Sequence, residues 1–170
     1  MASIYGNLIA PMMRHLTILS GGQTGVDRAA LDIAIANGLA WGGWCPRGGW
    51  AEDLPEPPGL LARYPALRAT PLPDPLQRTE WNVRDGDCLL VLTDRSGLTV
   101  SAGTMRARDL AAKLGKPCLV LDLDAQGALD RARAFLGEGE EDMGLTIAGP
   151  RESEAPGIYA KACAFLRQLL

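Results

Sequence analysis

The sequence predicts an α/β domain with a doubly wound, Rossmann-like sheet of about five mostly parallel strands and helices on both faces. Two near-continuous apolar runs, Cys88–Thr93 and residues 117–122, are typical of strands buried on both faces. Helical patterns alternate with such runs along the chain, which favours parallel strands joined by crossover helices. A glycine-rich segment, residues 20–27, separates the first strand from the first helix.

The first half of the chain divides at its turn signals. Residues 16–19 are β-prone and predict the first strand. Residues 28–37 predict a helix, because small and aliphatic side chains recur on one face and Gly38 follows as its C-terminal stop. Residues 39–45 predict a second strand. Residues 46–75 are rich in Pro and Gly and predict a long loop, which in a compact domain is typical of a functional or mobile segment.

The second half follows the same alternation. Its predicted helices are residues 75–85, 104–114, 125–136 and 155–170. Its predicted strands are residues 88–93, 117–122 and 145–148, and its loops are residues 96–103, 137–142 (acidic) and 149–153. Residues 15–170 then form one domain, and residues 1–14 form an N-terminal extension, with Met12 or Met13 as alternative starts.

Composition restricts the class of protein. A length of 170 residues fits one domain, since domains have roughly 100–200 residues. The net charge of −3 does not suggest a nucleic-acid surface, which would need a strongly basic face. Residues 1–14 resemble neither a secretory signal nor a transmembrane helix, so we expect no membrane partner.

Cysteine and histidine usage adds two expectations. The four cysteines have no C-x-x-C spacing, and reduced thiols in the cytoplasm are the simplest interpretation. His15 is the only histidine and lies near the terminus, which argues against a histidine-based zinc site or a Ser-His-Asp triad. We therefore predict no metal site in the protein itself.

The first candidate site is the glycine loop between the first strand and the first helix. Unpaired amides and the helix dipole favour an anion there, and glycines allow a ligand to approach the backbone closely. The spacing is neither G-x-G-x-x-G nor that of a P-loop, because no lysine follows. The candidate ligand-binding residues are Gly21, Gly22, Gln23, Thr24, Gly25, Asp27 and Arg28.

The alternative is a tight turn. Thr24 or Asp27 would then cap the helix. Arg28 could pair with a phosphate or with a nearby carboxylate.

Two more candidate segments start helices after strands. Ser101, Gly103 and Thr104 offer hydroxyls and amides at one helix N-terminus, although a Ser or Thr cap is an equal alternative. Arg151 follows the last strand and could reach the carboxyl edge of the sheet, where doubly wound folds bind ligands. Ser153 lies in the same loop, where it could contact a ligand or cap the last helix.

The predicted helix 75–85 supplies the remaining candidates. Arg78, Glu80 and Asn82 combine charge with amide chemistry, and Trp81 could stack on a ring. The alternative is a partly buried amphipathic turn in which Trp81 is an anchor.

Several motifs together resemble one known family. They are S-G-G-Q-T-G-V-D-R (20–28), G-G-W-C-P-R-G (42–48), A-E-D (51–53), R-T-E-W-N-V-R-D (78–85) and A-G-P-R-E-S (148–153). In this order they resemble the "putative molybdenum carrier" family of the lysine-decarboxylase-like (SLOG) Rossmann superfamily, from about Leu16 to the C-terminus. The resemblance implies a Rossmann-like fold, a homo-oligomer (dimer or tetramer), and molybdenum cofactor as cargo, a pterin that carries a phosphate and an oxo-metal head.

Two positions depart from the patterns of that superfamily. Ala102 stands where relatives have the first glycine of Gly-Gly-Thr, and its Cβ could conflict with a positive φ or with close ligand approach. The phosphoribohydrolase relatives have a glutamate three residues after the threonine, and here that position is Ala107. This argues against their hydrolysis reaction.

Three functions follow as hypotheses. The favoured one is a protein that binds or carries molybdenum cofactor or a similar phosphate-bearing ligand, with no catalytic residue assigned. The second is an enzyme that cleaves an N-glycosidic bond of a nucleotide, with Glu80 or Asp53 as acid or base and Arg78 steering the phosphate. The third is a nucleotide sensor in which residues 46–75 order on binding.

Overall fold

A computed structural model describes residues 15–137 and 142–170 of the chain. Within these ranges six strands form one all-parallel sheet in the order β3-β2-β1-β6-β4-β5. The strands are β1 (Leu16–Leu19), β2 (Ala40–Cys45), β3 (Leu67–Ala69), β4 (Cys88–Thr93), β5 (Cys118–Asp122) and β6 (Met143–Ala148). The predicted α/β, Rossmann-like fold class is confirmed.

Helices cover both faces of the sheet. They are α1 (Val26–Ala36), α2 (Leu60–Arg63), α3 (Pro75–Asp85), α4 (Ala102–Lys113), α5 (Ala128–Leu136) and α6 (Ile158–Leu169). On one face α6 packs against α1 and α5, around a core that includes Ile18, Leu90 and Ile158. On the other face α3 packs against α4 over Leu89 and Val91. All six residues of β4 are buried, as its apolar run predicted.

The sheet has one strand more than predicted. The segment predicted as a long loop contains α2 and the edge strand β3, which pairs in parallel with Gly43–Cys45 of β2. In β3 only Leu67 is buried. Leu67 packs with Leu31, Leu60 and their neighbours in a third apolar cluster under this segment. A three-residue strand with one buried side chain has no periodicity that sequence reasoning can detect.

The other boundaries differ from the predicted ones by few residues. The bounds of β1, α3 and β4 are the predicted ones. Helices α1 and α4 each begin two residues earlier than predicted, whereas α5 and α6 each begin three residues later. The predicted N-terminal extension and most of the predicted acidic turn lie outside the described residues.

Candidate functional site

A cleft of about 250 Å³ opens at the carboxyl edge of the sheet. It lies where the loop after β1, the start of α3, the start of α4 and the loop after β6 meet. Ligands of doubly wound folds bind at this edge, in the crevice where the strand order changes direction. The lining residues are Gln23, Asp27, Asp74, Pro75, Leu76, Arg78, Thr79, Ser101, Ala102, Gly103, Thr104, Ala148, Gly149 and Arg151.

A buried ion pair forms one wall of this cleft. Nη1 of Arg78 donates to Oδ2 of Asp27 at 2.7 Å, and the two side chains are 15% and 5% exposed. Burial raises the pKa of the Asp27 carboxyl above its usual value, while the charge of Arg78 and the amide of Gly149 oppose that rise. The other guanidinium nitrogens of Arg78 have no acceptor in the described part of the chain, so Arg78 keeps donors for a ligand.

A glycine makes room for this pair. A methyl group at Gly21 would lie 2.2 Å from Nη1 of Arg78 and 2.9 Å from Oδ2 of Asp27. The glycine loop therefore packs directly against the back of the ion pair. Gly21 lies beneath the cleft, at a small cavity, and does not line it.

The start of α4 forms the opposite side of the candidate site. Oγ of Ser101 accepts from the Thr104 amide at 3.3 Å and from Oγ1 of Thr104 at 2.9 Å, so Ser101 is the helix cap. Among described residues, the amides of Ala102 and Gly103 have no acceptor, and both residues line the cleft. Ala102 begins the helix without a positive φ, so the expected backbone conflict is absent.

The N-terminus of α1 is covered by the loop after β6. The Val26 amide donates to the Pro150 carbonyl at 3.2 Å, and a methyl group at Gly25 would lie 2.2 Å from that oxygen. The N-cap residue is Gly25, and neither Thr24 nor Asp27 caps the helix through its side chain. The Pro150 carbonyl therefore takes up the first amide of α1.

Gln23 lines the cleft and also holds its own loop in place. Its Oε1 accepts from the amides of Thr24 and Glu52, each at 3.0 Å. Gly22 lies away from the cleft, since a methyl group there would meet Leu67 and Leu60 of the neighbouring apolar cluster.

Arg28 pairs with a carboxylate, which was one of its two predicted roles. Its Nη1 and Nη2 donate to the two oxygens of Asp53 at 2.8 and 2.9 Å, and its Nε donates to the Gly22 carbonyl at 2.8 Å. These hydrogen bonds hold the pKa of Asp53 below its usual value. Both residues lie outside the cleft, so they fix the loop after β2 against the glycine loop.

Glu52 joins the glycine loop to the loop after β6. Its carboxylate accepts from the hydroxyls of Thr24 and Ser153, the second at 2.5 Å, and lies 3.9 Å from Nη1 of Arg151. These hydrogen bonds outweigh the effect of burial and lower the pKa of Glu52. Thr24 and Ser153 therefore act on the loops rather than in the cleft, whereas Arg151 lines the cleft.

The N-terminus of α6 is also occupied. The Glu152 carboxylate accepts from the amides of Gly157 and Tyr159 at 2.5 and 3.0 Å. Ser153 is not its cap, because the N-cap residue is Gly157.

Glu80 and Asn82 lie on α3 but outside the cleft. Glu80 pairs with Arg106 at 3.0 Å on the surface. Asn82 exchanges two hydrogen bonds with the backbone of Trp44, at 2.8 and 2.9 Å, and so joins α3 to β2. Trp81 packs edge-on against Trp44 with ring centroids 4.6 Å apart, which makes it an anchor.

Sequence reasoning missed several cleft residues. Asp74 accepts from the Leu76 amide at 2.9 Å and caps α3. An Asp followed by Pro at the start of a helix is a recognisable signal for this arrangement. Thr79 and Gly149 lie inside two of the quoted motifs, 78–85 and 148–153, but nothing in those motifs marks them as cleft residues, since only the fold brings them there. Ala107, at the position of the missing glutamate, is buried in the core under α4.

Within residues 15–137 and 142–170, no group of three or more His, Cys, Asp or Glu side chains could hold a metal ion. None of the helices in those ranges is long and apolar enough to cross a membrane.

The fold and the cleft define a doubly wound α/β protein with a polar cleft at the carboxyl edge of its sheet. The family model of the circularly permutated YpsA SLOG family matches residues 18–170, and the chain belongs to this family. A solved structure from Syntrophus aciditrophicus SB, a "Putative molybdenum carrier protein", is similar at 36% identity with a TM-score of 0.76. The match covers 91% of this chain and 94% of that one. No curated protein sequence matches significantly.

Proposed function

We propose that the protein binds an anionic, phosphate-bearing small molecule in the cleft and acts as a carrier of molybdenum cofactor. The observation that carries the proposal is one cleft with two sets of free donors. These are the remaining nitrogens of Arg78, which Asp27 holds in place, and the amides of Ala102 and Gly103. The solved structure named as a molybdenum carrier supports the choice of cargo.

The donors suit a phosphate. A guanidinium fork binds two phosphate oxygens at once, and amides at a helix N-terminus favour negative charge. The acidic residues of the cleft are already engaged, because Asp27 pairs with Arg78 and Asp74 caps α3. Arg151 adds a second cation to the lining. The phosphate end of the cargo therefore fits here.

The donor set also indicates how the metal end would be held. The residues described in the structure offer no cluster of three metal-ligating side chains. We therefore expect the protein to hold the cargo through its phosphate and ring, and the molybdenum to stay on its own pterin. Binding by a homo-oligomer remains a prediction.

We do not propose catalysis. The two carboxylates that the sequence offered for it, Asp53 and Glu80, form ion pairs outside the cleft. The sensor hypothesis has no specific support either, because the ion pair of Arg28 with Asp53 already anchors the first part of the segment that would have to order.

Thermal unfolding with molybdenum cofactor, and in parallel with AMP, tests the proposal. A ligand that binds only the folded state stabilises it by about 2.7 kcal/mol at a hundredfold excess over its Kd. We expect a rise in Tm with the cofactor and its loss in R78Q, each measured against that variant's own Tm without ligand. The control R106Q removes an exposed arginine outside the cleft and should keep the rise. A rise with AMP alone would overturn the carrier assignment.

A further inference from the structure

A second groove adjoins the cleft. It has a volume of about 370 Å³, and its walls include Arg47, Trp50, Pro57 and Pro73. Pro75, the first residue of α3, lines both the groove and the cleft. A ligand whose phosphate lies in the cleft could therefore extend into the groove past Pro75.

Tight backbone packing fixes the shape of the groove. A methyl group at Gly49 would lie 2.2 Å from the Pro58 carbonyl, and one at Gly59 would lie 2.3 Å from the Gly49 carbonyl. The Arg47 amide donates to the Leu72 carbonyl at 3.1 Å, which joins the two sides. The groove is thus part of the folded structure rather than a gap in a loose loop.

Arg47 supplies the positive charge of the groove. Arg47 is exposed, and its guanidinium makes neither an ion pair nor a hydrogen bond with any residue that the structure describes. Trp50 is half-buried beside it, and the proline rings of the walls are apolar. Apolar walls, one of them an indole, beside a cation that no described residue pairs with match a flat ring that carries hydrogen-bond acceptors.

We propose that this groove binds the heteroaromatic ring of the ligand whose phosphate lies in the cleft. Trp50 and the prolines pack against the ring, and Arg47 donates hydrogen bonds to its oxo group or ring nitrogens. The ligand class is a phosphorylated, oxo-bearing heteroaromatic compound. This inference rests on the proposed function, since it assumes that the cleft holds a phosphate.

Two probes that share one phosphorylated three-carbon chain test the proposal. Neopterin 3′-monophosphate carries a pterin on that chain, and glycerol 3-phosphate lacks the ring. We would titrate each into the full chain and follow amide and indole N–H signals by NMR, with the Trp50 indole identified through W50F. We expect the pterin compound to bind at least about tenfold more tightly and to shift the Trp50 indole signal.

The variants separate ring binding from phosphate binding. R47A should weaken the pterin compound about tenfold, since a hydrogen bond from a charged donor is lost, and leave glycerol 3-phosphate unchanged. R47A should fold, because the Arg47 side chain is exposed and contacts no partner among residues 15–137 and 142–170. The control R131A removes an exposed arginine of α5 and should change neither affinity.

The other possible results refute either the ring groove alone or both the groove and the phosphate cleft. Equal affinity for the two probes, or an equal loss of both in R47A, would refute the ring groove and leave the phosphate cleft standing. Binding of neither probe would refute both the groove and the cleft.

Discussion

Replacing Arg78 with leucine would leave a buried carboxylate without its partner. The side chains of Arg78 and Asp27 are only 15% and 5% exposed, so water screens their interaction little. Removing one member of a buried ion pair costs about 3–5 kcal/mol, because the other charge stays in the interior. We expect the free energy of unfolding of R78L to fall by that amount at pH 7, a large fraction of the roughly 5–15 kcal/mol of a typical domain.

The cost should depend on pH. Burial raises the pKa of the Asp27 carboxyl, and in R78L the opposing charge is gone. The folded variant then holds a proton at pH values where the unfolded chain, with the ordinary pKa of 3.8, has lost it. The wild type gains stability in the same direction as the pH falls, but R78L gains more, because its Asp27 pKa is raised further once the charge of Arg78 is gone. The loss in R78L should therefore shrink as the pH falls from 7.

Urea denaturation of the wild type, R78L and the double variant D27L/R78L at pH 7 and pH 5 measures these changes. The double variant removes both charges and should lose less stability than R78L. The control R106L breaks an exposed pair with Glu80, and we expect it to cost less than about 1 kcal/mol. A loss in R78L below about 1 kcal/mol, or one equal at both pH values, would refute the buried pair.

Four further predictions concern the cleft and the loops around it. Gly149→Ala puts a methyl group 2.3 Å from a carbonyl oxygen of β4 and should lower stability by about 1–3 kcal/mol. In Gly103→Ala the added methyl group meets no heavy atom within 4 Å, so the Tm should stay near that of the wild type. Because Gly103 lines the cleft, the affinity for the phosphate ligand should fall. Equal Tm values in Gly149→Ala and Gly103→Ala would contradict this. The pKa of Asp53 is lowered by Arg28, so this ion pair stabilises the fold above pH 3.8 and the stabilisation is lost as the pH falls further. Asp53→Asn should therefore speed protease cleavage of the loop after β2 at pH 7, and an unchanged rate would show that the ion pair does not restrain the loop. Burial raises the pKa of the Cys45 thiol to about 11, so iodoacetamide should not modify it in the native protein at pH 8, as mass spectrometry can check.

Local patterns predicted most of the fold because most of its elements carry their own signal. The bounds of α3 follow from a Pro at its first position, and β4 is a continuous apolar run. The strand β3 has no local signal in the sequence. It forms because Gly43–Cys45 of β2 is an open edge with which it can pair, and because its residue Leu67 packs into an apolar cluster. Pairing with a strand distant in the sequence determines that β3 forms, and a pattern of three residues carries no information about such pairing.

The candidate site was predictable only to the level of which segments meet. Parallel strands end at one edge of the sheet, and Arg78, Ser101 and Arg151, which the sequence analysis named as candidates, all line the cleft at that edge. It could not show that Arg28 turns away to Asp53, or that Ser153 bonds to Glu52. Those contacts join loops far apart in the sequence. From the sequence, each of these side chains could equally have contacted a ligand or another part of the chain.

The start of α4 is the helix N-terminus that lines the cleft beside Arg78. A free helix N-terminus attracts anions, and at three other helices the chain itself supplies an acceptor to a first-turn amide. Pro150 supplies a carbonyl to α1, Asp74 a carboxylate to α3 and Glu152 a carboxylate to α6. At α4 the cap is Ser101, a neutral hydroxyl, and the amides of Ala102 and Gly103 have no acceptor in the described structure. Arg78, which the buried carboxylate of Asp27 holds in place, lines the same cleft. An anion that enters the cleft therefore meets two open amides at α4 and the remaining N–H groups of Arg78, which is why we place the phosphate there.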